Sequence, residues 1–122
     1  LVEDNELNME IAKFILENAG MEVTTAFNGK EAIDIFGTSE ENQFDLILMD
    51  VMMPIMDGLE ATRRIRAMKR TDAQKIPIFA MTANAFADDI EESRKAGMNE
   101  HLSKPLDEIK LISVIRHYIG HE

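Results

Sequence analysis

The sequence predicts an α/β domain: a doubly wound, five-stranded parallel sheet with helices on both faces. Three observations predict it. Strand-like and helix-like segments alternate five times along the chain, which implies parallel strands joined by right-handed crossovers. Leu46, Ile47, Leu48 and Met49 form an unbroken apolar run, the pattern of a strand covered on both faces. Polar residues of unusual chemistry close four of the strand segments, and ligands of such sheets sit beyond the strands' carboxyl ends.

The elements follow in order. Leu1-Val2 reads as the end of a first strand whose earlier residues are missing, so the chain is expected to be a fragment of a longer protein. Glu3-Asp4-Asn5 offers helix-capping chemistry. Leu7, Ile11, Phe14 and Ile15 then recur at helical spacing up to Ala19, and Gly20 stops the helix. Residues 22–27 (EVTTAF) form a second short strand, Asn28-Gly29 a turn, and a helix with Ala32, Ile33 and Phe36 follows. After a polar loop (37–43) comes the third strand, ended by Asp50. Pro54 and Asp57-Gly58 shape a turn, and Leu59–Met68 is a helix with Ile65 and Met68 inward and Arg63, Arg64 and Arg66 in water. RTDAQK is a polar connection. Pro77 opens the fourth strand, a first position that proline tolerates. Residues 84–96 form a charged helix with a narrow apolar stripe, Phe86 and Ile90. Residues 99–103 are the fifth strand, and the last helix carries Leu111, Ile112, Ile115 and Ile119.

Composition bounds the function. The 122 residues make one ordinary domain (1–122), 45% hydrophobic, with net charge −10. Such an acidic surface has no electrostatic footprint for nucleic acid or for anionic membranes. The chain has no cysteine, which excludes disulfides, thiol catalysis and thiolate-bound zinc and fits a reducing, cytoplasmic setting. No apolar run approaches the roughly 20 residues of a membrane span.

The strand ends carry the chemistry. Glu3-Asp4 closes the first strand, Asp50 the third, Thr82 the fourth and Lys104 the last segment. Three crowded carboxylates need a compensating cation. Hard oxygen donors without His or Cys point to Mg²⁺. Lysine and threonine beside them suit a phosphoryl group, and the available nucleophile is a carboxylate, the kind that forms an aspartyl phosphate. Asp50 is then the nucleophile and the acidic pair holds the metal. His117 and His121 have metal spacing but read as solvated, and Met49, Met52, Met53 and Met56 read as gap fillers under the loop.

Taken together, LVEDN, LILMDVMMPIMDG, MTAN and LSKP resemble the motifs of receiver domains of two-component response regulators, in order and over essentially the whole chain. EDNELN, MTANAF and HLSKP are most similar to receivers attached to hybrid sensor histidine kinases. The resemblance implies flavodoxin-like strand order 2-1-3-4-5. It implies that Asp50 accepts a phosphoryl group from a phosphohistidine on a histidine kinase or histidine phosphotransfer domain. It further implies Mg²⁺ on Asp4, Asp50 and the Met52 carbonyl, with Glu3 acting through water. Lys104 would contact the phosphoryl oxygens, Thr82 would move toward them, the peptide before Pro105 would be cis, and Asn84 and Met52 would influence hydrolysis. His101 departs from the pattern, since Tyr or Phe usually stands there. An imidazole needs partners for its nitrogens when buried, so His101 is expected to stay largely outside. Other functions fit less well. A flavin-binding protein would place a hydroxyl-rich phosphate cradle where Glu3-Asp4 stands, and an aspartyl-phosphate phosphatase would want Asp where Met52 stands. A phosphorylation-independent interaction module usually lacks the acid pair or the lysine.

Overall fold

The computed structural model describes residues 1–53, 55–83 and 87–119, with main chain alone at 87–89. Pro54, Asn84, Phe86 and His121 therefore lie outside the described residues. Three strands form continuous parallel ladders: β1 (Ile47–Asp50), β2 (Ile78–Thr82) and β3 (Glu100–Ser103), in that order. Ile47 pairs with Ile78 and Phe79 with Glu100. The first two strands of the sequence reading are each reduced to a single bridge. Val2 bridges Ala26 on one side and Met49 on the other, both parallel. Four bonds carry these bridges: Ala26 N–H to Leu1 O (2.9 Å), Glu3 N–H to Ala26 O (3.1 Å), Val2 N–H to Leu48 O (2.7 Å) and Asp50 N–H to Val2 O (2.9 Å); Leu1 N–H to Thr24 O (3.0 Å) flanks them. Across the sheet the segments run 24–26, 1–3, β1, β2, β3. That is the expected order 2-1-3-4-5.

Among the described residues six helices accompany the sheet: α1 (Glu6–Asn18), α2 (Gly29–Thr38), α3 (Gly58–Arg66), α4 (Thr71–Lys75), α5 (Ala87–Ala96) and α6 (Glu108–Ile119). Alternate strand residues feed two cores. Ile47, Met49, Ile78 and Ala80 pack with Ala32 and Phe36 of α2 and Ala61 and Ile65 of α3. Leu48, Phe79, Met81 and Leu102 pack with Ile15 and Leu16 of α1 and Leu111 and Ile115 of α6. Each large apolar side chain so buried contributes about 1.5–3 kcal/mol.

Helix α1 departs from the sequence reading. Its buried face is Met9, Ala12, Ile15 and Leu16, whereas Leu7, Ile11 and Phe14 are 67%, 46% and 68% exposed. The helix carries two apolar stripes, both at helical spacing, and periodicity alone cannot choose between them. Ala12 settles it, because a small side chain lets the helix approach the sheet closely. The first turns of α1, α2 and α3 are capped alike: Asn5 accepts from Asn8 N–H, Asn28 from Glu31 N–H and Asp57 from Glu60 N–H, each at 2.9 Å. These caps satisfy donors that a helix start otherwise leaves open.

The stretch read as a polar connection contains α4. Its chemistry is a buried clamp. Arg70 donates to both carboxylate oxygens of Asp72 at 2.7 and 2.9 Å and to the carbonyls of Phe36, Ser39 and Glu40. Its guanidinium also lies 4.6 Å from the centre of the Phe36 ring, and Asn42 N–H donates to Asp72 at 2.9 Å. A bidentate, desolvated pair with this many partners holds a short helix that propensity alone would not. Hydrogen bonding from Arg70 is the main reason that Asp72 is lowered from the ordinary 3.8 to about 2. A carboxyl lowered by folding contributes stability that is complete above its unfolded value and lost as pH falls through the folded one. Urea unfolding of the wild type should therefore weaken between pH 4 and 2, and Asp72→Asn should weaken distinctly less over the same interval.

Candidate functional site

The site stands where segment 1–3, β1, β2 and β3 all end on one edge. Position follows from strand register. Glu3 comes one residue after the Val2 bridge, Asp50 is the last residue of β1, Thr82 the last of β2, and Lys104 follows β3. Lys104 N–H donates to Thr82 O at 2.9 Å, which ties the last two together. The apolar run of β1 carries the Asp50 carboxylate into a desolvated place, and the residue is only 4% exposed.

Two carboxylates share one ammonium. Lys104 Nζ lies 2.8 Å from Glu3 Oε2 and 2.9 Å from Asp50 Oδ2. Glu3 is 1% exposed, and its other oxygen accepts from Asn5 N–H at 3.1 Å. Asp50 Oδ1 accepts from Met52 N–H at 3.2 Å. Asp4 is exposed beside them, and one oxygen each from Glu3, Asp4 and Asp50 falls within a mutual 4.8 Å. Burial, and then the neighbouring Glu3, raise Asp50 from 3.8 to about 7 against the opposing pull of Lys104. The lysine is raised by the same two carboxylates against its own burial. With all three acids ionised and Lys104 charged, the cluster carries −2. A divalent cation matches that charge, and an all-oxygen donor set suits a hard one.

The structure thus brings together Glu3, Asp4, Asp50 and Lys104, with Thr82 half-buried at the adjoining strand end and Met52 next to the cluster on the loop. The sequence reading placed Lys104 against an incoming group and missed its ion pair with Glu3. That pairing joins residues 101 positions apart, which no local pattern signals. His101 does not stay outside. Its ring is half-buried, Nε2 is sealed from solvent without a partner among the described residues, and burial, with Arg94, holds it below 6.5. His117 is exposed, and the peptide before Pro105 is cis.

The loop after β1 is closed tightly. Gly58 N–H donates to Val51 O at 2.9 Å and Gly29 N–H to Met56 O at 3.2 Å. Ile55 takes φ 71°, a costly conformation for a β-branched residue. The Asp-Gly and Asn-Gly pairs signalled turns in the sequence, but not that both glycines face this loop.

Comparison with known proteins gives a consistent result. The family model of the response regulator receiver domain matches residues 1–116. The chain is 38% identical over 117 residues to hybrid signal transduction histidine kinase I of Dictyostelium discoideum, covering 94% of the chain but 7% of that protein. It is 38% identical to the polar-differentiation response regulator DivK of Brucella anthropi, covering 98% of the chain and 94% of DivK. Among solved structures, the receiver domain of sensor histidine kinase PA1611 from Pseudomonas aeruginosa superposes with TM-score 0.87 at 37% identity, over 98% of this chain and 93% of that one. That structure holds a magnesium ion in its active-site cleft. The Vibrio cholerae chemotaxis protein CheY4 gives TM-score 0.87 at 27% identity, over 97% and 94%.

The shared ammonium makes a stability prediction. Lys104→Met keeps most of the side-chain volume but leaves Glu3 and Asp50 facing each other without a cation. Loss of one partner from a buried ionic group typically costs about 3–5 kcal/mol, and Lys104 is 20% exposed. The variant should lose about 2–3 kcal/mol in urea unfolding at pH 8 without divalent cation, and Mg²⁺ should restore part of it.

Proposed function

Because this chain belongs to the response regulator receiver family, we propose that it is a phosphoacceptor whose nucleophile is Asp50 and whose cofactor is Mg²⁺. The observation that carries this reading is the Asp50 carboxylate held between an acid cluster and a lysine at the strand-end edge. A carboxylate oxygen of Asp50 attacks the phosphorus of a phosphohistidine on the partner. The O–P bond forms as the N–P bond breaks, and the leaving imidazole takes up a proton. Asp4, Asp50 and the Met52 carbonyl would hold the metal, with Glu3 acting through water. When bound, the divalent ion would neutralise charge on the phosphoryl oxygens and favour the ionised form of Asp50. Lys104 can exchange a carboxylate for a phosphoryl oxygen at small cost, since its ammonium already sits at the site. The Thr82 hydroxyl donates to another oxygen. Asp50→Asn should abolish labelling by acetyl phosphate and by a phosphohistidine donor, read as a gain in intact mass. Labelling of that variant at the wild-type rate would overturn the assignment.

The partner class follows from the same reading: a histidine kinase or a histidine phosphotransfer domain. The exposed apolar stripe of α1 begins two residues beyond the Asn5 cap, beside the acid cluster. A donor histidine that reaches Asp50 must pass over that rim, where Leu7 and Ile11 offer apolar contact and Met52 and Ile55 line the loop opposite, both exposed. Leu7→Asp should slow transfer from the protein donor about tenfold, the effect of about 1.4 kcal/mol, while acetyl phosphate labelling stays within about twofold of wild type. Equal slowing of both would mean a damaged site rather than a lost contact. The chain spans 7% and 15% of the hybrid and plant kinases it matches, and the activity of any longer protein is a separate proposal.

A further inference from the structure

We propose that Gly29, at the start of α2, is a positioning residue for the metal-binding loop that follows Asp50. The inference deepens the magnesium reading above and rests on it. Gly29 belongs to a different element from every residue of the acid cluster, yet it touches the loop directly. Its N–H donates to Met56 O at 3.2 Å. A side chain there has no room: a Cβ would stand 2.6 Å from Met56 O, 3.0 Å from Ala61 Cβ and 3.2 Å from Asp57 O.

The requirement is for closeness rather than for an unusual backbone angle. Gly29 occupies the first helical position of α2, where a backbone N–H has no partner within the helix. That donor is spent on the loop. The helix start cannot easily retreat, because Asn28 caps it and Glu31 Oε1 accepts from Phe27 N–H at 3.1 Å. At the loop's far end Gly58 does the same from α3. Its N–H holds Val51 O at 2.9 Å, and a Cβ there would stand 2.2 Å from Asp50 O. Between the two clamps lie Met52, whose N–H holds Asp50 Oδ1, and the strained Ile55. A loop carrying strain at Ile55 relaxes if either clamp opens. Gly58 acts on the Asp50 main chain itself, so its replacement would damage the nucleophile. Gly29 acts on the loop through Met56 and Asp57, and on Ala61 of α3, but does not touch Asp50, and therefore separates loop position from the integrity of Asp50.

The test is Mg²⁺ affinity, measured by amide NMR titration with Mg²⁺ alone, on wild type, Gly29→Ala, Ala61→Gly and the double variant. Gly29→Ala should bind Mg²⁺ about tenfold more weakly, the range found when a residue supporting a metal ligand is removed. Ala61→Gly removes the apolar crowding but not the clash with the Met56 carbonyl. The double variant should therefore not regain affinity. A folded Gly29→Ala with affinity within twofold of wild type would overturn the proposal, as would full recovery of affinity in the double variant. Should Gly29→Ala fail to fold, the wild type still decides. Coupling is reciprocal, so saturating Mg²⁺ should slow hydrogen exchange of the Gly29 amide, and unchanged exchange there would overturn the proposal. A wild type that binds no Mg²⁺ would instead overturn the magnesium reading on which it rests.

Discussion

The Lys104 ammonium between Glu3 and Asp50 is the interaction on which the functional edge depends. It joins three segments that the chain delivers separately: the residue after the first bridge, the end of β1 and the residue after β3. Without it, two carboxylates that are 1% and 4% exposed would face each other in a low dielectric, where like charges are most costly. The strands reach that edge because alternate residues fill two cores, and register then leaves no choice about which residue comes last.

The same pairing explains why the site is poised rather than inert. Burial makes Asp50 a reluctant anion, and Lys104 compensates only in part because it serves two acids. An added cation would complete the balance. The site is thus built around a deficit of positive charge. Glu3 contributes in a way the motif does not advertise, since its second oxygen also binds the Asn5 main chain and so couples the cap of α1 to the acid cluster.

Much of this was legible in the sequence. The alternation of segments, the apolar run before Asp50 and the polar strand ends each follow from short-range pattern, and they led to the parallel sheet and the edge, whereas the strand order came from the resemblance to receiver domains. What was not legible depended on distance or size. Two apolar stripes on α1 obey the same period, and only tertiary packing chooses Met9, Ala12 and Leu16 over Leu7, Ile11 and Phe14. The short helix α4 is held by Arg70 reaching carbonyls about 30 residues away. His101 takes a half-buried place at a cost in hydrogen bonding that a rule for isolated imidazoles counts against.

The three capped helix starts have an electrostatic consequence. Helices α1, α2 and α3 each follow a segment that ends at the functional edge, so their amino termini gather there, and each terminus carries about half a positive charge. The edge is therefore layered, with carboxylates at the centre and a surrounding ring of partial positive charge. Outside that ring the chain as a whole is strongly negative, with net charge −10. A free dianion approaching through solvent meets repulsion first, out to roughly the 8 Å reach of fields at physiological ionic strength. An anion carried in on another protein's surface passes that zone already committed. On the phosphoacceptor reading, such a charge pattern favours a tethered donor over a diffusing one before any bond is made.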